Sequence, residues 1–410
     1  MDSWLENTVK YLVGNPLSSF AILIAIHIGF YFLLRTQPPS LYKFRDLKIS
    51  EIYVYPIKSL RGVQVKEATA TDQGFEYDRR FMLLRDTPKG YENMQVSKYP
   101  EMTRFTTSIS YPEKNEKKSG SINVEFSSPG SSKVSSITIP VSPNTSGLDT
   151  LEVDLYTSKT SAYKMPSEFN TWFTSHFNFP VVLAYIGDNL RDVLFTDLAP
   201  PKKTKSWIPG SSSSGHRIAF SDAAPFLLVS KTSLAEVSSR LPPGQEMDMT
   251  KFRPSIVLEG AESAWEEDYW AKLDINGAEV IAAHNCGRCT SINIDYSTGK
   301  PGTGASGNVL KLLQADRRID PGIRYSPVFG RYSFWNAKNG VKVLKVGDQA
   351  KVTRFNPKPT IFSKLCPYSL LLKCCAWLLI NYLHRLAGSW DVCVDSVVEE
   401  VLLAGGVLWE

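Results

Sequence analysis

The sequence predicts a β-rich α+β protein in which an N-terminal transmembrane helix precedes two β-rich domains. Its 410 residues are about three times the ~100–150 residues of one domain. An apolar segment without Asp, Glu, Lys or Arg lies near the N-terminus, and short runs of alternating apolar and polar residues fill much of the remainder. Hydrophobic residues at 43% and charged residues at 21% exclude disorder, collagen and coiled coil as the main architecture.

The N-terminal segment Leu17–Leu34 (LSSFAILIAIHIGFYFLL) predicts a membrane anchor. Its length is close to the ~17–25 residues that cross a hydrocarbon core, and no convincing cleavage site for a secretory signal precedes Arg35. We expect a short tail at 1–16, the anchor at 17–34 and a linker at 35–48. Lys and Arg dominate the linker, so the positive-inside rule predicts that the rest of the chain faces the cytosol.

The first β domain is predicted at 49–190. Alternation begins at Leu47–Val54 and continues in four further runs: Val63–Thr69, Arg80–Arg85, Ser121–Phe126 and Ser135–Val141. Polar Lys114–Gly120 and Ser127–Ser136 are expected to be turns. Pro166–Asn178 spaces its aromatic residues at helical intervals and predicts a packed helix.

The second domain is predicted at 191–355, after which the tail 356–410 changes in character. The domain begins with a polar insertion, Lys202–Gly215, and ends with the alternating run Val341–Val352. Between them we expect helices near Lys231–Arg240 and Asn308–Ala315, and strands near Ser255–Leu258, Ala278–Ala283 and Thr290–Ile294. The tail's apolar run Leu370–Leu383 is short for a second span, so it is either an interfacial helix or sequence outside the functional protein.

Charge and cysteine content narrow the class of protein. The 46 basic and 41 acidic residues leave a dispersed net charge of +5, so we expect no nucleic-acid partner. All six cysteines follow position 285, which favours a reducing compartment over a disulfide-stapled secreted domain.

The segment from His284 to Thr290 contains the pair Cys286 and Cys289, which has several interpretations. A zinc site would need more ligands than this pair offers. A redox dithiol would need a helix after the pair, whereas alternation predicts a strand at Thr290–Ile294. A single thiolate that binds a soft metal beside Arg288 is a third possibility, and two small buried side chains without chemistry are a fourth. The residues alone leave the choice open.

Several short motifs resemble, in order and spacing, those of the MOSC proteins, and most closely the mitochondrial amidoxime-reducing components. The resemblance covers roughly residues 49–355, and it implies a MOSC N-terminal-type β domain packed on a MOSC β-barrel domain. The matching motifs are Tyr55-Pro56-Ile57-Lys58-Ser59 with Gly62, Asp78-Arg79, Ser221-Asp222-Ala223-Ala224-Pro225-Phe226, Phe252-Arg253-Pro254, Arg288-Cys289-Thr290 and Ser326-Pro327-Val328-Phe329-Gly330.

The resemblance implies a molybdenum–molybdopterin cofactor whose metal is bound by Cys289. Cys286 has no ligand role in the family pattern. Ala223 and Ala224 replace the family's usual hydroxyl residues, so they offer backbone contacts only, as does Gly287. Asp222 and Asp295 are candidates for orienting arginines or relaying protons, and we count Asp222 with Cys289 as catalytic. The remaining residues implied to bind the cofactor are Lys58, Ser59, Arg79, Arg253, Arg288 and Tyr332.

The resemblance also implies a reaction and its partners. The reaction is reduction of the N–O bond of N-hydroxylated compounds, with electrons from a b-type cytochrome and its NADH-dependent reductase. The expected location is the outer mitochondrial membrane with the catalytic domain in the cytosol. The alternative function is a carrier of molybdenum cofactor or persulfide sulfur without reductase turnover, and a scaffolding role is third.

Overall fold

The computed structural model describes residues 45–113, 119–128, 134–193 and 216–362. The predicted anchor at 17–34, the insertion at 202–215 and the tail from 363 onward lie outside these residues. In the part of the chain that is described, no helix has both the length and the apolar character needed to span a bilayer.

Most of the described elements are β-strands. Those of the N-terminal half are β1 (Arg45–Val54), β2 (Val63–Val65), β3 (Glu67–Thr71), β4 (Gly74–Phe75), β5 (Phe81–Thr87), β6 (Gly90–Asn93), β7 (Phe105–Ser110), β8 (Ser121–Ser127), β9 (Val134–Pro140), β10 (Thr150–Leu155), β11 (Ser158–Lys164), β12 (Val181–Tyr185) and β13 (Arg191–Asp192). Those of the C-terminal half are β14 (Arg217–Ile218), β15 (Phe226–Ser230), β16 (Ile256–Glu259), β17 (Trp270–Ile275), β18 (Ala278–Gly287), β19 (Ile294–Asp295), β20 (Lys300–Pro301), β21 (Val328–Trp335), β22 (Lys342–Lys345) and β23 (Gln349–Phe355).

Three α-helices and several 3₁₀ helices accompany the described strands. The α-helices are α1 (Ser167–Phe177), α2 (Lys231–Ser239) and α3 (Val309–Gln314). The 3₁₀ helices are Pro100–Arg104, Met249–Phe252, Glu266–Tyr269, Thr290–Asn293, Pro321–Ile323 and Ala337–Asn339. The predicted helices and most predicted strands are therefore present, with ends shifted by a few residues.

Seven strands close into a barrel in the order β16-β15-β21-β18-β17-β23-β1, and β1 pairs back with β16. β15 and β16 are parallel, and α2 connects them. The N-terminus of α2 is capped by the Ser230 side chain, which accepts a hydrogen bond from the Thr232 amide. Alternate side chains of the barrel strands form one buried core that includes Trp270 and Trp335.

The N-terminal half adds a five-stranded sheet, β10-β11-β12-β5-β6, and a three-stranded sheet, β7-β8-β9. The apolar face of α1 packs between them. Its buried residues Phe169, Phe173 and Phe177 share a core with Phe105 of β7 and Val181 of β12. The predicted aromatic stripe is thus a packing face, and it has no part in the cleft described below.

β1 joins the two halves of the molecule. The sequence predicted it as the start of the first β domain, but most of its length pairs with barrel strands of the C-terminal half. Its first residues pair with β23, its middle with β16 and its last residues with β2. β22 likewise pairs with β3, with Leu344 opposite Ala68. The barrel therefore depends on a strand that lies far from its other strands in the sequence.

The prediction of a strand at Thr290–Ile294 was wrong. Thr290–Asn293 is a 3₁₀ helix, and only Ile294–Asp295 is extended. The Asn293 side chain accepts a hydrogen bond from the Leu310 amide at 2.9 Å, at the start of α3. This tertiary contact stabilises the 3₁₀ conformation more than the alternating sequence favours a strand. The long run Val341–Val352 is also divided, because the chain turns at Gly347, where φ is +98°.

The first residues of the tail, up to Phe362, pack on the barrel. The buried Asp320 carboxylate accepts hydrogen bonds from the Phe362 amide at 3.0 Å and from the Asn285 side chain at 3.0 Å. Asn285 also donates to the Thr360 carbonyl at 2.8 Å. The tail is therefore held beneath the strand that leads to Cys286.

Candidate functional site

A cleft of about 850 Å³, including its open mouth, lies between the barrel and the N-terminal half. It collects the predicted site residues from six separate segments, with the exceptions of Ala223 and Asp295. Asp295 instead binds the Ser297 amide and hydroxyl, so it closes the turn between β19 and β20.

The two cysteines of the cleft occupy different environments. Cys289 is exposed, and its sulfur lies 3.1 Å from the Ser291 hydroxyl. Cys286 is buried, and its sulfur accepts a hydrogen bond from Arg288 Nη1 at 2.9 Å. An exposed thiol is accessible to a ligand or metal, whereas the buried thiol already has a hydrogen-bond partner.

Arg288 connects two segments that line the cleft. Besides Cys286, its guanidinium donates to the Phe252 carbonyl at 2.9 Å, next to Arg253. The preceding residue, Gly287, packs closely against the segment that contains Ile323 and Ser326. A Cβ at Gly287 would lie 2.8 Å from the Ile323 side chain and 3.2 Å from Ser326, so a larger residue would not fit without a shift. No Cys, His, Asp and Glu side chains gather in a group of three suited to a metal ion within the described ranges.

Asp222 and Lys58 form an ion pair on one wall. Lys58 is buried, its ammonium donates to the Phe220 carbonyl at 3.0 Å as well as to Asp222, and burial lowers the pKa of Lys58. The Asp222 side chain is 53% exposed to the cleft. Desolvation favours a higher pKa for Asp222, but Lys58, Arg79 and Arg191 outweigh it and hold the pKa well below its usual range. Asp222 is therefore a carboxylate at neutral pH.

Arg191 positions the loop that carries Asp222. It is fully buried, and its side chain donates to the carbonyls of Ala219 at 3.0 Å, Asp222 at 2.6 Å and Ser221. Burial lowers the pKa of Arg191 to about 10, so the guanidinium stays charged at neutral pH. Sequence reasoning missed this residue, because an arginine at a domain boundary has no local pattern to mark it.

Arg79 and Arg253 form the opposite wall around Tyr55. Their guanidinium carbons lie 4.7 and 4.4 Å from the centre of the Tyr55 ring. Arg79 pairs with Asp78 at 2.5 Å, and Arg253 donates to the Leu60 carbonyl at 2.7 Å. Tyr55 belongs to a motif that the sequence singled out, but its role as the platform for both arginines was not predicted.

Three cleft residues have a left-handed backbone, which is uncommon for residues other than glycine. The φ angles are 70° at Ser59, 49° at Arg79 and 55° at Arg253. Each costs of the order of 1 kcal/mol, and such strain concentrates at functional sites. The backbone conformations thus agree with a site at the positions that sequence motifs indicated.

The remaining predicted residues differ in how they reach the cleft. Tyr332 lines it from β21, and burial and the neighbouring Cys286 raise its pKa well above the usual value. Ala224 lines it and is buried, whereas Ala223 is half-buried and packs against the apolar cluster that contains Phe334. Several lining residues come from the N-terminal half and had no signal in the sequence: Gln95, Val96, Ser97 and Tyr156.

The cleft fits an anionic ligand. Four cationic side chains line it: Lys58, Arg79, Arg253 and Arg288. The carboxylates beside them are Asp222, paired with Lys58, and Asp78, paired with Arg79. Among these lining residues, Arg253 Nη2 and Arg288 Nε are buried without a hydrogen-bond partner in the described part of the chain. Buried N–H groups of this kind are costly unless a ligand accepts their hydrogen bonds. A cofactor with a phosphate group would accept hydrogen bonds from these N–H groups, and a soft metal carried by the same cofactor could bind the sulfur of Cys289.

Comparisons with known proteins identify two matching domain families. Residues 46–180 match the MOSC N-terminal beta barrel domain, and residues 215–351 match the MOSC domain. Mitochondrial amidoxime reducing component 2 of Rattus norvegicus is 28% identical over 342 residues, covering 80% of this chain and 89% of that protein. Mitochondrial amidoxime-reducing component 1 of Homo sapiens is 25% identical, with 72% of this chain and 80% of that protein covered.

A second group of relatives is longer. Molybdenum cofactor sulfurase of Oryza sativa subsp. japonica is 27% identical over 265 residues, which are 62% of this chain and 29% of that protein. This chain therefore corresponds to less than a third of the sulfurase.

Proposed function

This chain belongs to the MOSC-domain proteins, and we propose that it is a membrane-anchored molybdenum-cofactor oxidoreductase that reduces N-hydroxylated compounds. The observation that carries the proposal is the exposed Cys289 thiol in a cleft whose buried arginine N–H groups lack partners. Relatives named amidoxime reducing components, matched over most of their length, support the same reaction class.

Different residues of the cleft would bind different parts of the cofactor. Lys58, Arg79 and Arg253 would bind its phosphate and pterin, and Cys289 would bind molybdenum through sulfur. When bound, this cofactor supplies the two-electron chemistry that converts R–NHOH, two electrons and two protons into R–NH₂ and water. Arg191 and Lys58 keep the Asp222 carboxylate fixed and ionised at the mouth, where it can accept a hydrogen bond from the substrate.

The electron donor and the location belong to the proposal as well. We infer a b-type cytochrome and its NADH-dependent reductase as donors, with the segment 17–34 anchoring the chain in the outer mitochondrial membrane and the catalytic domain in the cytosol. Relatives whose names include "mitochondrial" support the organelle. Anchoring on one surface would raise the effective concentration of the donors.

A carrier of molybdenum cofactor or persulfide sulfur is the second candidate function. The similarity to molybdenum cofactor sulfurases favours it, as does a second thiol, Cys286, three residues before Cys289. A carrier would hold the cofactor, or sulfur on a thiol, without repeated reduction by a cytochrome.

The test is the molybdenum and pterin content of the full chain, purified in detergent from a host that makes the cofactor, beside Cys289→Ser and Cys286→Ser. We expect near-stoichiometric metal in the parent and in Cys286→Ser, together with cytochrome-dependent reduction of an aromatic N-hydroxylated amidine. Cys289→Ser should lose activity and most of its metal, because serine is a poor ligand for a soft metal.

Three outcomes would contradict the reductase. Absence of metal from all three proteins would remove the cofactor, and equal dependence on both cysteines would favour dithiol or sulfur chemistry. Full metal content without cytochrome-dependent turnover would favour the carrier.

A further inference from the structure

Tyr156 is a residue of the cleft that neither the motifs nor the proposed mechanism uses. It lies at the tip of the β10–β11 hairpin, in which Leu155 pairs with Ser158. Tyr156 and Thr157 form the two-residue turn, with φ angles of 58° and 73°. From this tip the tyrosine side chain reaches the cleft and lines it together with Asp222 and Cys289.

These two residues are poorly suited to their turn. A two-residue hairpin turn with both φ angles positive favours Asn, Asp or Gly, and a β-branched threonine is a true outlier there. Tyr156 is also 49% exposed, so its ring gains only part of the stabilisation that full burial would give. The tyrosine thus lacks a stability rationale in the turn itself, and its side chain ends in the cleft.

The hairpin is tied to the loop that carries Asp222. The buried Ser158 donates from its hydroxyl to the Asp192 carbonyl at 2.7 Å. Asp192 follows Arg191, which binds the backbone carbonyls of Ser221 and Asp222. The tip of the hairpin and Asp222 are therefore fixed to the same short segment, and the position of Tyr156 in the cleft is set by the fold.

The Tyr156 hydroxyl donates to Asp222 Oδ1 at 3.5 Å, the long limit of a hydrogen bond. Asp222 Oδ1 already accepts from Lys58, so the carboxylate stays paired if the hydroxyl turns away. Nearby Asp222 raises the pKa of Tyr156 above its ordinary range, with burial and Cys289 adding to the effect. The phenol is thus a neutral hydrogen-bond donor, and its hydrogen bond to Asp222 is weak.

We propose that Tyr156 binds substrate: its hydroxyl leaves Asp222 and donates a hydrogen bond to the oxygen of the N–O group presented to the cleft. The N-terminal half of the molecule would thereby select ligands that carry this oxygen. This inference rests on the proposed reductase function. It goes beyond that function because it assigns recognition of the N–O oxygen to a residue outside the MOSC domain.

The experiment compares two ligands on the cofactor-loaded full chain: an aromatic N-hydroxylated amidine and the corresponding amidine without the oxygen. Binding of each is measured by calorimetry in the parent, Tyr156→Phe and Tyr156→Asn. Tyr91→Phe is the matched control, since Tyr91 is an exposed tyrosine on β6 that does not line the cleft.

In Tyr156→Phe we expect the preference for the oxygen-bearing ligand to fall about tenfold, the equivalent of one hydrogen bond. Its KM should rise by a similar factor, with an unchanged melting temperature and molybdenum content. Tyr156→Asn should lose the same preference but melt at a higher temperature, because asparagine accepts a positive φ. Tyr91→Phe should match the parent in every measurement.

Two results would overturn the inference while leaving the reductase intact: an unchanged ligand preference in Tyr156→Phe, or a fall in melting temperature in both variants, which would assign the tyrosine to packing. If instead the loaded parent neither binds nor reduces the N-hydroxylated amidine, the proposed function itself fails. The parent thus reports on the function, and the variants report on Tyr156.

Discussion

At the scale of single residues, the cleft depends on arginine side chains that hydrogen-bond other parts of the protein and fix their positions. Arg191 fixes the carbonyls of the Asp222 loop, and Arg288 joins Cys286 to the Phe252 carbonyl. Such contacts set the position of Asp222 and Arg253 before any ligand arrives. Preorganisation of this kind reduces the cost of ordering the site on binding.

Arg191→Met tests this positioning role. Methionine retains much of the side-chain volume but leaves the carbonyls of Ala219, Ser221 and Asp222 without this donor, so we expect a loss of about 3 kcal/mol in the free energy of unfolding. Molybdenum content should fall as well, because the Asp222 loop loosens beside Lys58. Urea unfolding and metal analysis check the two effects.

Arg217→Met is the matched control for Arg191→Met. Arg217 lies on the neighbouring strand β14, its side chain is 54% exposed, and its ion pair with Asp192 is a surface contact. Because Arg217 also donates to the Leu190 carbonyl, a loss of about 1 kcal/mol is expected there, well below that of Arg191→Met. Equal losses in the two variants would mean that removal of any arginine near this strand has the same effect.

At the scale of elements, the 3₁₀ helix Glu266–Tyr269 attaches α2 to the barrel through a buried carboxyl group. Glu267 is fully buried and accepts a hydrogen bond from the Ser233 hydroxyl at 2.7 Å. Its neighbour Asp268 forms a buried ion pair with Arg317 at 2.7 Å. Burial first, and Asp268 second, raise the pKa of Glu267 to about 7.

This contact predicts a stability that falls as pH rises. The folded protein holds a proton on Glu267 up to about pH 7, whereas the ordinary pKa is 4.5, so the stabilisation is complete below pH 4.5 and is lost through pH 7. At ~1.4 kcal/mol for each pH unit, the loss is about 3 kcal/mol. Glu267→Gln, which resembles the protonated form, should lack this decline.

Urea unfolding at pH 5 and pH 8 measures the effect. The parent should lose about 3 kcal/mol more than Glu267→Gln between the two pH values. Glu246→Gln, a change at an exposed position, should follow the parent. If Glu267→Gln declines as steeply as the parent, Glu267 is already ionised in the folded state at pH 5.

Elements with strong local patterns were predictable from the sequence, and elements set by distant contacts were not. The aromatic stripe of α1 and the alternation of β1 follow from periodicity. The 3₁₀ helix Thr290–Asn293 does not, because Asn293 is recruited to the start of α3.

The candidate site divides in the same way. The motifs indicated Lys58, Arg79, Arg253 and Cys289, and the fold brings them to one cleft. Tyr156 reaches the cleft from a hairpin turn, and Arg191 supports the Asp222 loop from a short strand. Only the three-dimensional arrangement reveals these two roles.

At the scale of the whole molecule, the cleft lies where the two halves of the chain meet, and β1 belongs to both. β1 fills the gap between β16 and β23 and continues into β2. Without it, two barrel strands would present unpaired edges, which favour self-association. The other six barrel strands, β15, β16, β17, β18, β21 and β23, therefore depend on a strand of the N-terminal half for closure.

A fragment comprising residues 216–362 tests this dependence. We expect it to unfold without a cooperative transition and to self-associate, because the seven-strand barrel lacks its closing strand. The same fragment carrying residues 45–54 on a flexible linker should be more monomeric and should melt cooperatively. Circular dichroism and size-exclusion chromatography make the comparison. A monomeric, cooperatively folded fragment without 45–54 would show that β1 is dispensable for closure.

The register of β1 also has a consequence for how the protein is made. Arg45 pairs with Val352 and Lys48 with Glu259, so the first barrel strand to leave the ribosome waits for partners synthesised on the order of 200–300 residues later. At ~5–20 residues per second this delay lasts on the order of ten seconds to a minute. During that time the nascent strand is an open edge close to the predicted membrane anchor, where a chaperone or the membrane surface would have to shield it.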